Sequence, residues 1–168
     1  MEVLLSKLVR TLVFDDEGRP FTSVVDLIIE PSGGKLVGIV VGGSRNLMIS
    51  PMDVEVFSAE KLVVIDRDVV AEIDDVVRAR EVVSKGFYFL NCEVYDKGGV
   101  YLGKVFDYAV DMNGLCLKCI WVAKGFWNLV RYDKRRFDWE DIFEVKPGKI
   151  VVEGMRKVFE KEPQPVVG

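Results

Sequence analysis

Histidine is missing from all 168 residues of the chain. Its absence removes the commonest general base, the commonest metal ligand and every catalytic triad built on imidazole. Long apolar runs are missing too: nothing approaches the roughly 20 residues that cross a bilayer, and residues 1–10 lack the layout of a signal peptide. The chain is therefore expected to be cytoplasmic, with no direct membrane insertion. Cysteine is scarce, at three residues. Cys116-Leu-Lys-Cys119 has C-x-x-C spacing, but structural zinc needs a second pair of ligands and only Cys92 remains, while a redox pair needs a helix N-terminus to lower a thiolate pKa. The pair falls on a run that reads as a strand, where residues three apart face opposite sides, so packing is its expected role. Gly42-Gly43-Ser44 follows an apolar strand without the Gly-Lys-Ser/Thr of a phosphate loop and reads as a tight turn. No metal, no cofactor and no activated nucleophile is implied, and the chain is expected not to be an enzyme.

What is present is a repeat. Residues 13–41 align without a gap on 94–122 at an offset of 81, with nine of the 29 positions identical, among them Asp15/Asp96, Gly18/Gly99, Asp26/Asp107 and Gly33/Gly114. Beyond Val41 the offset becomes 88: residues 49–65 align on 137–153, pairing Asp53-Val54 with Asp141-Ile142 and Lys61-Leu62-Val63-Val64 with Lys149-Ile150-Val151-Val152. An internal duplication follows, with seven residues gained in the second copy between Val122 and Phe137. Each unit is near the lower size limit for a self-sufficient core, so the units are expected to pack together or to form a dimer or other oligomer.

Apolar residues at 49% and charged residues at 30% describe a globular chain. Within each unit, Val25, Leu27 and Ile29 alternate with Asp26, Ile28 and Glu30, and Phe106, Tyr108 and Val110 alternate with Asp107, Ala109 and Asp111. Glycine turns flank these strands, so five or six short strands at turn spacing predict a small antiparallel barrel. Between the copies, Val69, Val70, Ile73, Val76 and Val77 share a helical stripe behind Asp68 as N-cap. The expected fold is all-β: two tandem small antiparallel barrels, repeat 1 at 1–66 and repeat 2 at 85–160, with a helical linker at 67–84 and a flexible tail at 161–168.

Three features bear on function. Asp26 and Asp107 occupy equivalent places, which invites a paired-carboxylate site, but two units hold them apart and each is expected to organise its own turn or solvent face. Charge is uneven: residues 1–84 hold 9 basic and 15 acidic side chains, residues 85–168 hold 14 and 12. The longer loop of the second copy gathers Phe126, Trp127, Arg131, Tyr132, Lys134, Arg135 and Arg136. Aromatics and Arg anchor protein interfaces, so these seven are the candidate partner-binding residues; they also suit RNA, which stacks on aromatics and Arg, although the acidic whole argues against general nucleic-acid binding.

The order strand, Asp-x-x-Gly turn, Val-x-Asp strand, Gly turn, apolar strand and short Asp-Val/Ile segment before a final strand resembles the PRC-barrel family. Leu-Gly-Lys-Val-Phe-Asp at 102–107 is the closest match to the family's Gly-x-Val-x-Asp, and the first copy departs from it with Thr22 where Gly103 sits. The resemblance covers about four-fifths of the chain. It implies docking to another macromolecule rather than turnover. The family includes the cytoplasmic domain of the photosynthetic reaction-centre H subunit, the C-terminal domain of the ribosome-maturation factor RimM, and small archaeal proteins. A tandem form is most similar to the archaeal members, which implies an adaptor of an FtsZ-based division assembly, recruited to the division site by the anchor SepF or by another PRC-barrel protein. The RimM likeness implies the alternative, a ribosome-maturation or RNA-processing factor.

Overall fold

The computed structural model describes residues 1–125 and 133–154. It opens with strand β1 (Glu2–Leu4) and one helical turn, α1 (Leu5–Leu8). The first repeat supplies β2 (Leu12–Phe14), β3 (Pro20–Ile29), β4 (Leu36–Val41), β5 (Leu47–Ile49), β6 (Val54–Phe57) and β7 (Leu62–Val64). Strand β8 (Val70–Glu72) and helix α2 (Val77–Ser84) lead to the second repeat: β9 (Glu93–Asp96), β10 (Tyr101–Asp111), β11 (Cys116–Lys124), β12 (Asp133–Asp138), β13 (Ile142–Lys146) and β14 (Lys149–Val152). Of the described residues 51% lie in strands and 16% in helices, so the chain is predominantly β, as expected.

The duplication is written into the strand order, which runs β5-β4-β3-β2-β7-β6 in one sheet and β12-β11-β10-β9-β14-β13 in the other. Register repeats residue by residue. Val24 faces Val41 as Val105 faces Val122, and Ile39 faces Ile49 as Ile120 faces Phe137. Turn chemistry repeats with it: Asp15 Oδ1 accepts the Arg19 N–H at 2.8 Å and Asp96 Oδ1 the Val100 N–H at 2.9 Å, closing loops around Gly18 and Gly99, both left-handed.

The structure departs from the sequence expectation in three places. Each sheet is mixed, because β7 runs parallel to β2 and β14 parallel to β9. The 3-10 turns Pro51–Asp53 and Trp139–Asp141 carry the chain across to a closing hairpin whose second strand lands beside the first strand of its unit. The linker is α-helical only in α2, with 3-10 turns at Arg67–Val69 and Ile73–Asp75; Val70–Glu72 forms a strand on β5, and Asp66, not Asp68, caps the first of these turns by accepting the Asp68 N–H at 2.9 Å. Adjacent β-branched valines fit the sheet edge better than a helix. The N-terminus crosses over: β1 pairs with β10 in the second sheet, Glu2 opposite Asp111. One buried cluster runs through both halves and includes Val13, Ile39, Ile49 and Leu62 with Val94, Ile120, Val122 and Ile150. A second, smaller layer lies on the opposite face of the first sheet, where Ile28, Val40 and Met48 pack under Ile73, Ala79 and Val82 of the connection. The expected tail at 161–168 falls outside the described residues. Among the described residues, no helix is long and apolar enough to cross a membrane.

Candidate partner-docking face of the second sheet

Strict alternation puts Phe106 on the same side as Tyr108, but β10 carries a bulge between Val105 and Asp107. One extra residue there lets Val105 and Tyr108 both reach the core, at 1% and 2% exposure, and turns Phe106 outward at 44%. The outer face of the second sheet is therefore built from cross-strand rows. Lys104, Ala123 and Lys134 form one row across β10, β11 and β12, and Asp107, Trp121 and Arg136 form the next. Lys134 places its Nζ 5.5 Å from the centroid of the Phe106 ring, a cation–π contact on an exposed surface. Trp121 is half-buried between Asp107 and Arg136, and Lys104, Lys118 and Lys134 are exposed around it.

Arg136 is occupied within the chain. Its guanidinium donates Nη1 to Glu2 Oε1 at 3.0 Å, Nη2 to Glu2 Oε2 at 3.2 Å and Nε to Asp138 Oδ1 at 2.9 Å. This fork ties β1 to β12 across the face and roofs Cys119, whose sulfur lies 3.5 Å from Glu2 Oε1. Burial, with Glu2 and Asp138 adding negative charge, pushes the Cys119 thiol up to about 11. Cys116 is half-exposed at the start of β11, and among the described residues no group of three Cys, Asp or Glu is placed to hold a metal ion. Cys92 is buried as well, donates to the Tyr88 carbonyl at 2.7 Å and is likewise raised to about 11 by burial.

Of the seven sequence-predicted partner residues, Lys134 lies on this face and Arg136 in its ion-pair roof. Arg135 sits opposite Val122, on the side of Phe137. Phe126, Trp127, Arg131 and Tyr132 lie outside the described residues. Sequence reasoning missed Phe106, Trp121, Lys104 and Lys118. The signal was in the repeat itself: Val25, Val40 and Met48 of the first copy, all apolar and packed beneath the connection, correspond to Phe106, Trp121 and Arg136 of the second.

A second aromatic cluster lies on the same unit. The Tyr95 and Tyr101 rings meet at 5.4 Å and 55°, with Lys149 Nζ 4.7 Å from the first centroid and Lys124 Nζ 5.7 Å from the other. The corresponding first-copy residues, Phe14, Pro20, Lys61 and Gly43, carry no such arrangement of two rings and two cations. The chain matches no protein-family model and no curated protein. Its second unit thus differs from its first where strands face outward, in aromatic and basic content.

Proposed function

We propose that the chain is a non-catalytic adaptor of tandem PRC-barrel type, two small barrels built from one repeat, and that the second barrel docks an acidic amphipathic helix of a partner protein across Phe106 and Trp121. The observation that carries this reading is internal. On the first sheet, α2 lays Ala79 and Val82 over a layer that includes Val25 and Val40; on the second, the positions of Val25 and Val40 hold the exposed Phe106 and the half-buried Trp121, ringed by Lys104, Lys118 and Lys134. A helix covering that face in the same manner would bury two aromatics, the residue type that most often carries interface energy, and its carboxylates would meet the lysines. The resemblance to archaeal division adaptors supplies the first partner to try, the membrane anchor SepF.

The test has two arms. Purified SepF is titrated against the protein and its Phe106→Ser and Trp121→Ser variants, each checked for unchanged circular dichroism, and a photo-crosslinker placed at 106 reports what covers the face in cells. Tenfold or greater loss of affinity in both variants, or a crosslinked segment with apolar residues at helical spacing and net negative charge, supports the reading. Equal binding by the variants together with no such crosslink overturns it. Crosslinking to RNA, with binding that weakens steeply with salt, assigns the face to nucleic acid instead.

A further inference from the structure

The two repeat-equivalent carboxylates have different company. Asp107 Oδ1 accepts its following N–H, from Tyr108 at 2.9 Å, and also the Ser6 N–H at 3.2 Å, while Oδ2 takes the Ser6 hydroxyl at 2.5 Å. Asp26 Oδ1 accepts the Leu27 N–H at 2.8 Å. The repeat offset places Phe87 where Ser6 stands, and Phe87 has no side-chain donor. Asp26 Oδ2 therefore has no hydrogen-bond partner among the described residues. No fully buried side-chain oxygen or nitrogen among them lacks a partner, so that oxygen is an accessible atom.

Asp26 lines a cavity of about 270 Å³ together with Ile28, Val40, Ile73, Phe87 and Tyr108 among others, with Arg45 and Val83 also on its wall. The volume sits just below the usual lower bound for small-molecule pockets, about 300 Å³, and the make-up is theirs: a mostly apolar wall with a few polar groups. Burial pushes the Asp26 carboxyl upward, against the Leu27 N–H and the Arg45 charge. Burial also lifts the Tyr108 phenol well above its ordinary value, with Asp26 and Asp107 adding to the effect. Both carboxylates thus lie near one phenol, which the two-unit reading of the sequence did not anticipate.

We propose that this cavity binds a small neutral molecule carrying a hydroxyl on a compact apolar body, the hydroxyl donating to Asp26 Oδ2 as Ser6 donates to Asp107. A neutral donor avoids the cost of taking a charged group out of water into this wall, and the body must be apolar because Ile28, Val40, Ile73 and Phe87 offer it nothing to hydrogen-bond.

Cyclohexanol, cyclohexanone and cyclohexylamine share a shape and differ only in the polar group. Each is titrated into ¹⁵N-labelled protein while the Leu27 and Phe87 amide signals are followed. Cyclohexanol is expected to shift both signals saturably and to bind at least fivefold more tightly than the ketone. Asp26→Leu removes that preference, and Val83→Trp, a change at a half-exposed position on the cavity wall, blocks alcohol and ketone alike. Equal binding of alcohol and ketone overturns the role of Asp26. Tighter binding of the amine overturns the neutral assignment, and absence of saturable shifts at these amides overturns the site.

Discussion

Lys35 faces Cys116 across an antiparallel bridge, and the two are the same position of the repeat. The flanking hydrogen bonds are each other's images: Leu36 N–H to the Leu115 carbonyl at 2.8 Å, and Leu117 N–H to the Gly34 carbonyl at 2.7 Å. A pseudo-two-fold axis therefore passes between these strands, and the halves meet as the subunits of a symmetric dimer do. The symmetry reaches further back than the sequence match. Arg10 and Asn91 are both left-handed, at φ 75° and 64°, and each donates its N–H at 2.8 Å to the valine carbonyl at an equivalent place, Val24 or Val105. It breaks where each unit's leading segment arrives: a strand and helical turn with Ser6 on the second sheet, a helix end and Phe87 beside the first. Both the exposed outer face of the second sheet and the Asp26 cavity are products of that break.

Gly103 tests the tightness of the second unit. Its φ of 130° is a region that side chains rarely adopt, and a Cβ there would stand 2.3 Å from the Ala123 carbonyl oxygen, a backbone atom that cannot swing away. Gly103→Ala is expected to cost about 3 kcal/mol or more, while Gly99→Ala, left-handed but with nothing within 4 Å, costs about 1 kcal/mol. Urea denaturation of the two variants checks the contrast; equal losses would mean that the close approach to β11 is not as described.

Ser6→Ala leaves an 8%-exposed carboxylate short of its hydroxyl donor. Removing one partner of a buried charged acceptor costs about 1.5–3 kcal/mol. Ser58→Ala serves as control, since that hydroxyl bonds within an exposed turn and its loss is expected to cost about 0.5 kcal/mol or less. The denaturation midpoints of both variants, measured against the parent, decide whether the N-terminal crossover contributes to stability or merely lies on the surface.

The strands were legible because identical glycines, aspartates and valines recur at fixed offsets, and register follows from alternation once one face is buried. What alternation could not show was the bulge at Phe106: a one-residue insertion leaves no mark in composition, yet it moves an aromatic from core to surface. The linker misled for a related reason. Val69, Val70, Ile73, Val76 and Val77 fit a helical stripe, but Val70 also pairs with Ile49 on a sheet edge, and tertiary pairing overrode the pattern. The crossover of β1 and the convergence of Asp26 and Asp107 near Tyr108 are long-range facts with no local signature. The docking face is half visible in the sequence: Lys134 and Arg136 stand in the aromatic and basic stretch of the second copy, but nothing in a single copy says that Arg136 is already held by Glu2.

Thiol chemistry separates the three cysteines. Cys92 and Cys119 are fully buried, and burial holds both thiols near 11, so the thiolate that reacts is scarce at pH 8. Cys116 is half-exposed. An aromatic disulfide reagent at pH 8 is expected to titrate one thiol in the native protein and three in denaturant, and Cys116→Ser abolishes the native reaction. Rapid reaction of two thiols in the native state would contradict the burial of Cys119 beneath the Glu2–Arg136 pair.

Asp15 sets an acid limb for the first unit. Its side chain is 2% exposed, accepts the Arg19 N–H through Oδ1 and lies 2.7 Å from Arg67 Nε through Oδ2. The Arg19 N–H first, and the Arg67 guanidinium with it, hold the carboxyl below the ordinary carboxylate range against the opposing effect of burial. A carboxyl whose folded pKa is depressed adds stability that is complete above its unfolded value, near 3.8, and is lost as pH falls from there through the folded value. Asp15→Asn is therefore expected to be less stable than the parent at pH 7, with the gap closing as pH drops below about 4. Arg67→Met lowers stability at pH 7 in the same direction but leaves the Arg19 N–H bond, so its acid limb is shallower than the parent's yet steeper than that of Asp15→Asn. Thermal midpoints of the three proteins between pH 7 and pH 2.5 read this out; a gap between parent and Asp15→Asn that stays constant across that range would show that Asp15 titrates no differently in the folded and unfolded chain.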